Sequence, residues 1–324
     1  MKKRRDIAGL ILVAVGLAIP PLTEAIEGSN LPVLAGDLLD RMMHDPFEVV
    51  SDKPAGSGIM GARKWTVRFK GDGQQLKVKW KRAPEDGDGW NNSPRRELGA
   101  YRVQALFLDP QDYVVPPTAT ACVPLQAFGQ SEKSPQPNLP GTRCVYGVLS
   151  VWLQDVQQPK KVLNLSRFRD NPRYAYHLAN MNLLCYLINH QDGRKSNYLT
   201  SKDPDDPRVF SVDNGLAFGV LLRNYFIPHW NRIRVPALPR RSIERLRQID
   251  RSDLEPLGVL AQMQADEQGI LGHVAAGPNL KPDQGNRIGP GALQIGLTRK
   301  EIRKIEKRIA KLLAKVDAGK VKLM

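Results

Sequence analysis

The sequence predicts an α+β chain in two lobes, rich in strands up to about residue 153 and helical after it. Three observations carry that reading. Before residue 153, short apolar runs alternate with polar residues and are cut by Gly, Pro and Asp turns, the period-two signature of half-buried strands. From Asn171-Pro172 onward the pattern is helical, and near the end Thr298 and Glu301 spell a capping box ahead of an apolar stripe of Ile302, Ile305, Ile309, Leu312, Leu313 and Val316. The length of 324 residues, with 41% hydrophobic and 25% charged content, suits one two-lobed domain or two small ones.

In chain order, residues 1–25 read as a secretory leader. Lys2, Lys3, Arg4 and Arg5 give its positive start, residues 7–19 its apolar stretch, and Thr23-Glu24-Ala25 a small-x-small cleavage site. The apolar stretch is shorter than the roughly 20 residues that span a bilayer. Export to a periplasmic or extracellular space is therefore expected, with an uncleaved N-terminal membrane anchor as the alternative. The first lobe would then occupy residues 26–153 and the second residues 154–324. An exported chain with 3 cysteines holds one internal disulfide at most. Cys122 and Cys144 each lie in a strand-like run, so adjacent antiparallel strands would bring them within bridging distance. Cys185 sits in an apolar helical run, as a small buried hydrophobe does.

A strand over residues 47–50 leads into Gly56-Ser57-Gly58-Ile59-Met60-Gly61, and another strand, over 63–69, follows. A dinucleotide-binding turn would be followed by a helix. Strands on both sides instead suit a hairpin that covers nucleotide phosphates, where Gly56, Gly58 and Gly61 would let the backbone come close. An ordinary glycine-rich hairpin has the same signature. Residues 76–81 set Leu76, Val78 and Trp80 on one face against Lys77, Lys79 and Lys81 on the other. One such lysine would hold the α- and β-phosphates; Lys79 is chosen over Lys81, and Glu97, in a helical stretch over 94–107, would be its partner. A solvated lysine face explains the alternation equally well. Residues 148–153 would form the strand entering a hinge between the lobes, residues 254–263 a short helix, and residues 269–291 a loop rich in Gly, Pro and Asn.

The residues with most chemistry to offer lie at 189–199 and 211–215. Asn197 follows Asp192 by 5 positions, and Asp213-Asn214-Gly215 comes after it, behind short strand-like runs at 198–200 and 209–212. Phosphoryl transfer needs this set: an Asp to accept or orient the proton of the attacking hydroxyl, and an Asn with a second Asp to hold divalent metal on the nucleotide phosphates. Asp192 would be the base, and Asn197 and Asp213 the metal ligands. An Asp and an Asn in a polar loop also cap turns, and the acidic run at 203–207 reads as a turn between the two loops. The formal net charge of +15, with a pI near 9.8, draws the chain towards anionic partners such as nucleotides or phospholipid surfaces, with no specific nucleic acid implied. The basic face of the last helix would meet either solvent or an anionic membrane.

Taken in order, Gly56-x-Gly58-x-x-Gly61, Lys79, Glu97, Asp192 to Asn197 and Asp213-Asn214-Gly215 resemble an atypical kinase of the phosphatidylinositol 3- and 4-kinase-like superfamily, including the secretory-pathway kinases of the Golgi. The resemblance extends as an order of elements over roughly residues 45–320 and is specific around the two loops. It implies a two-lobed protein-kinase-like fold, ATP with Mg2+ or Mn2+, and transfer of the γ-phosphate to a hydroxyl acceptor that is protein, lipid or sugar. Two departures stand out. Gly193-Arg194 follows Asp192 where these families usually carry Arg-His, and Asn214 replaces the usual Phe. They leave room for a pseudokinase that binds a nucleotide or a partner without turnover, and transfer of the nucleotide in place of its phosphate is a further alternative.

Overall fold

The protein is described by a computed structural model over residues 30–31, 35–56, 61–89, 92–128, 135–219 and 230–324. The leader at 1–25 and Gly58 of the glycine run lie outside the described residues. Helix α1 (Ala35–His44) precedes strands β1 (Phe47–Pro54), β2 (Arg63–Phe69) and β3 (Gln75–Arg82). After helix α2 (Pro94–Gln104), strands β4 (Thr118–Pro124) and β5 (Cys144–Val151) complete an antiparallel sheet in the order β1-β2-β3-β5-β4. The period-two pattern divides its faces. Trp65, Val67, Val78, Trp80 and Leu149 face one side and pack with Leu38 and Met42 of α1, with the rings of Trp65 and Trp80 stacked 4.7 Å apart. Each such large buried side chain contributes roughly 2 kcal/mol. Gly147 allows β5 to lie this close to β3, since a Cβ there would come within 2.5 Å of the Lys81 carbonyl oxygen and 2.6 Å of the Trp80 ring.

The opposite face carries the lysines of β2 and β3 and, on β4 and β5, a bonded cysteine pair. Cys122 is opposite Tyr146 and Pro124 opposite Cys144, so the two cysteines stand diagonally on one face with Cα atoms 5.3 Å apart, joined as a disulfide. The expected bridge is present, and it fits an oxidising, extracytoplasmic compartment. Cys185 is free and buried, and burial pushes its thiol up to about 12.

The second half opens with β6 (Val156–Gln157), α3 (Leu165–Asp170) and α4 (Pro172–Leu187), followed by β7 (Tyr198–Ser201) and β8 (Val209–Ser211); β6, β7 and β8 form a small antiparallel sheet. The Asn171 side chain caps α4 by accepting from Tyr174 N, and Pro172 supplies the first-turn residue that needs no donor. This helix is buried almost all round, from Leu178 to Ile188, which makes it the centre of the second core. Next come β9 (Ala237–Leu238), α5 (Arg240–Gln248) and α6 (Arg251–Leu254).

Beyond α6 the expectation of a helix at 254–263 and a plain loop at 269–291 is corrected. Strands β10 (Ala261–Ala265), β11 (Leu271–Val274), β12 (Asn286–Gly289) and β13 (Ala292–Ile295) form a four-stranded antiparallel sheet in the order β11-β10-β13-β12. Pro256 and Gly258 confine helical backbone to α6 and one 3-10 turn, Glu255–Gly258. In β10, buried Ala261 and Met263 alternate with less buried Gln262 and Gln264, a period of two hidden by the polarity of its outer positions. Gly296 is needed as well, because a Cβ there would lie 2.0 Å from the Gly258 carbonyl oxygen. Helix α7 (Arg299–Asp317) then begins at the expected capping box and buries Ile305, Ile309 and Leu312, and β14 (Lys322–Leu323) pairs in parallel with β9. The whole is a mixed α+β protein built on antiparallel sheets.

Candidate functional site

A cleft of about 1170 Å³ lies between the lysine-bearing face of the first sheet and the loops that follow α4 and β8. Its walls take Lys64 from β2, Lys77, Lys79 and Lys81 from β3, and Glu97 from α2, together with Asn197 and Asp213 from the two loops. Residues separated by more than a hundred positions thus meet. Lys79 Nζ lies 3.3 Å and Lys81 Nζ 3.2 Å from the same Asp213 Oδ1. Glu97 is buried and uses Oε2 to accept from the backbone N of Asn214 at 2.8 Å.

The charges on these groups hold one another. Burial works against an ionised Asp213, but Lys79 and then Lys81 outweigh it and keep the carboxyl well below the usual carboxylate range. Burial penalises the Lys79 ammonium too, yet the charges of Asp213 and Glu97 prevail and raise it. Glu97 moves the other way, raised by burial and by Asp213 against the pull of Lys79. Asp213 itself sits in the left-handed region at φ 62°, which costs a non-glycine residue on the order of 1 kcal/mol. Three hydrogen bonds fix this turn: Val212 N to Asn197 O at 2.9 Å, Asn214 N to Glu97 Oε2 at 2.8 Å, and Ser211 Oγ to Asn214 Oδ1 at 2.9 Å.

Asp192 is placed differently. It is buried, and its carboxylate accepts two hydrogen bonds from Arg194, Nε to Oδ1 and Nη2 to Oδ2, both at 2.6 Å. Arg194 faces the cleft in front of it, with 55% of its side chain exposed. Asn197 is tied to the same loop, its Nδ2 donating to the Asp192 carbonyl oxygen at 2.9 Å. Gly56 lines the cleft, and Gly61 takes φ 65°, so glycines stand at both ends of the segment that contains Gly58.

Two cleft residues lie outside the kinase-like motifs: Lys64, on the cleft wall with its ammonium 4.2 Å from the centre of the Trp152 ring, and Arg194, which those motifs mark only as a departure. Alternation along β2 marks Lys64 as a partner of the lysine face, because it stands directly opposite Lys79.

Among the described residues, no group of three or more His, Cys, Asp or Glu side chains is arranged to hold a metal. Asp213 and Asn197 still offer a carboxylate and a carboxamide on one cleft, a hard oxygen donor pair of the kind that suits Mg2+ or Mn2+ when substrate phosphates and water complete the shell. No protein-family model matches the chain, and no curated protein matches it significantly.

Proposed function

We propose that this protein is an exported kinase with a two-lobed protein-kinase-like fold, transferring the γ-phosphate of a nucleotide to a hydroxyl acceptor of a protein, lipid or sugar. The observation that carries the reading is the convergence of Lys79, Lys81, Glu97, Asn197 and Asp213 on one cleft between a five-stranded sheet and the loops that follow α4 and β8. In this reading Lys79, with Lys81 beside it, holds the phosphate chain, and Glu97 fixes the turn that presents Asp213. Asp213 and Asn197 would hold Mg2+ or Mn2+, which supplies positive charge on the phosphate oxygens when bound. The Lys79 and Lys81 ammonium groups would then exchange Asp213 for phosphate. Asp192 accepts the acceptor's hydroxyl proton once Arg194 has turned from its carboxylate, and Arg194 is then available to the transferring group.

The bidentate Arg194–Asp192 pair favours a second reading, a pseudokinase that binds nucleotide while its base stays covered. Purified mature protein, incubated with γ-labelled and α-labelled ATP, magnesium or manganese and protein, lipid and sugar acceptors, separates the readings. The expected result is transfer of the γ-label, lowered by about 100-fold or more in Asp192→Ala and Asp213→Ala. Nucleotide binding with no transfer of either label assigns the pseudokinase, and transfer of the α-label assigns nucleotidyl transfer.

A further inference from the structure

The cationic side chains of the cleft are more numerous than one lysine-based phosphate contact requires. Lys53, Lys64 and Lys79 stand directly opposite one another on β1, β2 and β3. Lys77, Lys79 and Lys81 run along β3 on the same face of the sheet. The two rows cross at Lys79. Like charges directly opposite on neighbouring strands destabilise a sheet, and neighbouring strands are only about 4.8 Å apart. Asp213 answers Lys79 and Lys81. Among the described residues no carboxylate lies within ion-pair distance of Lys53, Lys64 or Lys77. A solvated face would scatter such charges or intersperse acids among them; here Lys64, Lys77, Lys79 and Lys81 are gathered on the wall of a cleft, and Lys53 stands beside Lys64 outside it.

The second observation concerns the place where a nucleobase would bind. Trp152 follows β5 on the segment between the lobes and lines the cleft, so its ring is the aromatic surface on which a base would stack. Lys64 already covers that ring, with its Nζ 4.2 Å from the centroid. The apolar wall of Val115, Val151 and Leu153 remains for a base, without a described aromatic face beside it that is not already capped by a cation.

From these two observations we infer that the cleft recognises its ligand by a linear phosphate chain, carried by a nucleoside triphosphate or by inorganic polyphosphate, with the nucleobase contributing little. This rests on the phosphoryl-transfer reading of the same cleft and narrows its donor. The chain would lie along the crossing lysine rows, with Lys64 and Lys77 extending the grip of Lys79 and Lys81.

Calorimetric titration of the full protein with inorganic triphosphate, ATP and adenosine, each with and without magnesium, tests this. Triphosphate is expected to bind within about threefold of ATP, and adenosine not at all. In the Lys64→Gln/Lys77→Gln double variant, both phosphate ligands are expected to weaken by about tenfold. Both positions are part-exposed or exposed on a strand surface, and an unchanged melting temperature verifies that the variant is folded; the wild-type comparison stands without it. ATP binding more than about tenfold tighter than triphosphate would overturn the inference and leave the kinase reading intact. Equal binding of both with no γ-transfer would uphold the inference and remove the kinase reading. Failure of both to bind would overturn the two together.

Discussion

His177 is buried in α4, and neither ring nitrogen finds a hydrogen-bond partner among the described residues. Burial, reinforced by Arg208 and Arg173, lowers its pKa to about 3 from an ordinary 6.5. The sign of the linkage follows. Below pH 6.5 the unfolded chain takes up a proton that the native state refuses until about pH 3, so stability present at neutral pH is lost as pH falls through that window. The loss is roughly 1.4 kcal/mol per pH unit. Urea unfolding at about pH 7 and about pH 4.5 should show His177→Leu losing about 2.5 kcal/mol less than wild type between them. An equal loss in both proteins would show that other groups govern acid unfolding. Asp213 displays the same principle at the cleft. Its residue type announces a chemistry, but its protonation depends on Lys79 and Lys81, which the chain brings in from elsewhere.

At the scale of elements, α2 matters because it supplies Glu97, and α7 holds it in place. Arg95 of α2 donates from Nη1 to Glu301 Oε2 at 2.7 Å and from Nε to Asp88 Oδ2 at 2.8 Å. Glu301 Oε2 also accepts from Thr298 N and Oγ1, so the residue that completes the capping box of α7 also anchors α2. The Arg95 and Glu301 side chains are 6% and 9% exposed, which makes the pair sensitive to loss of one partner. Glu301→Gln is expected to destabilise the protein by about 3 kcal/mol in urea unfolding. It should also weaken triphosphate binding by about tenfold through displacement of Glu97 and the Asp213 turn. Loss of stability with unchanged binding would mean that α7 supports the fold without positioning the site.

Across the whole molecule, the four-stranded sheet beyond α6 binds the two halves together. His273 Nε2 pairs with the Thr120 carbonyl oxygen at 2.7 Å, Arg143 N donates to Gly269 O at 2.7 Å, and Thr120 Oγ1 donates to Met263 Sδ at 3.8 Å. All three contacts fall on or beside β4 and β5, next to the Cys122–Cys144 disulfide. With a sequence separation of 22, the bridge is expected to stabilise the fold by about 3 kcal/mol on the chain-entropy account. Cys122→Ser/Cys144→Ser should lower the urea midpoint accordingly, and reductant should shift the wild type alone. A midpoint unmoved by either treatment would show that the sheet contacts hold this region without the bond.

The alternation of residues 63–69 and 76–81, the cysteine pair, the buried run in α4 and the Thr298–Glu301 cap were all legible in the sequence, because each depends on residues within a few positions and on a period that local geometry imposes. The sheet at 261–295 was hidden by short strands with polar outer positions, since tertiary partners on both sides, and not local hydrophobicity, stabilise it. The site divides in the same way. Asp192, Asn197 and Asp213 could be named from type and spacing. That Lys79 and Lys81 share Asp213 and that Lys64 caps Trp152 depend on strand register and chain crossing, which no local pattern encodes, and that Arg194 folds back over Asp192 depends on the path of one loop. Spacing along a chain selects the residue types available for chemistry, but the pairing of their charges follows distance in space, and only the folded molecule sets that distance.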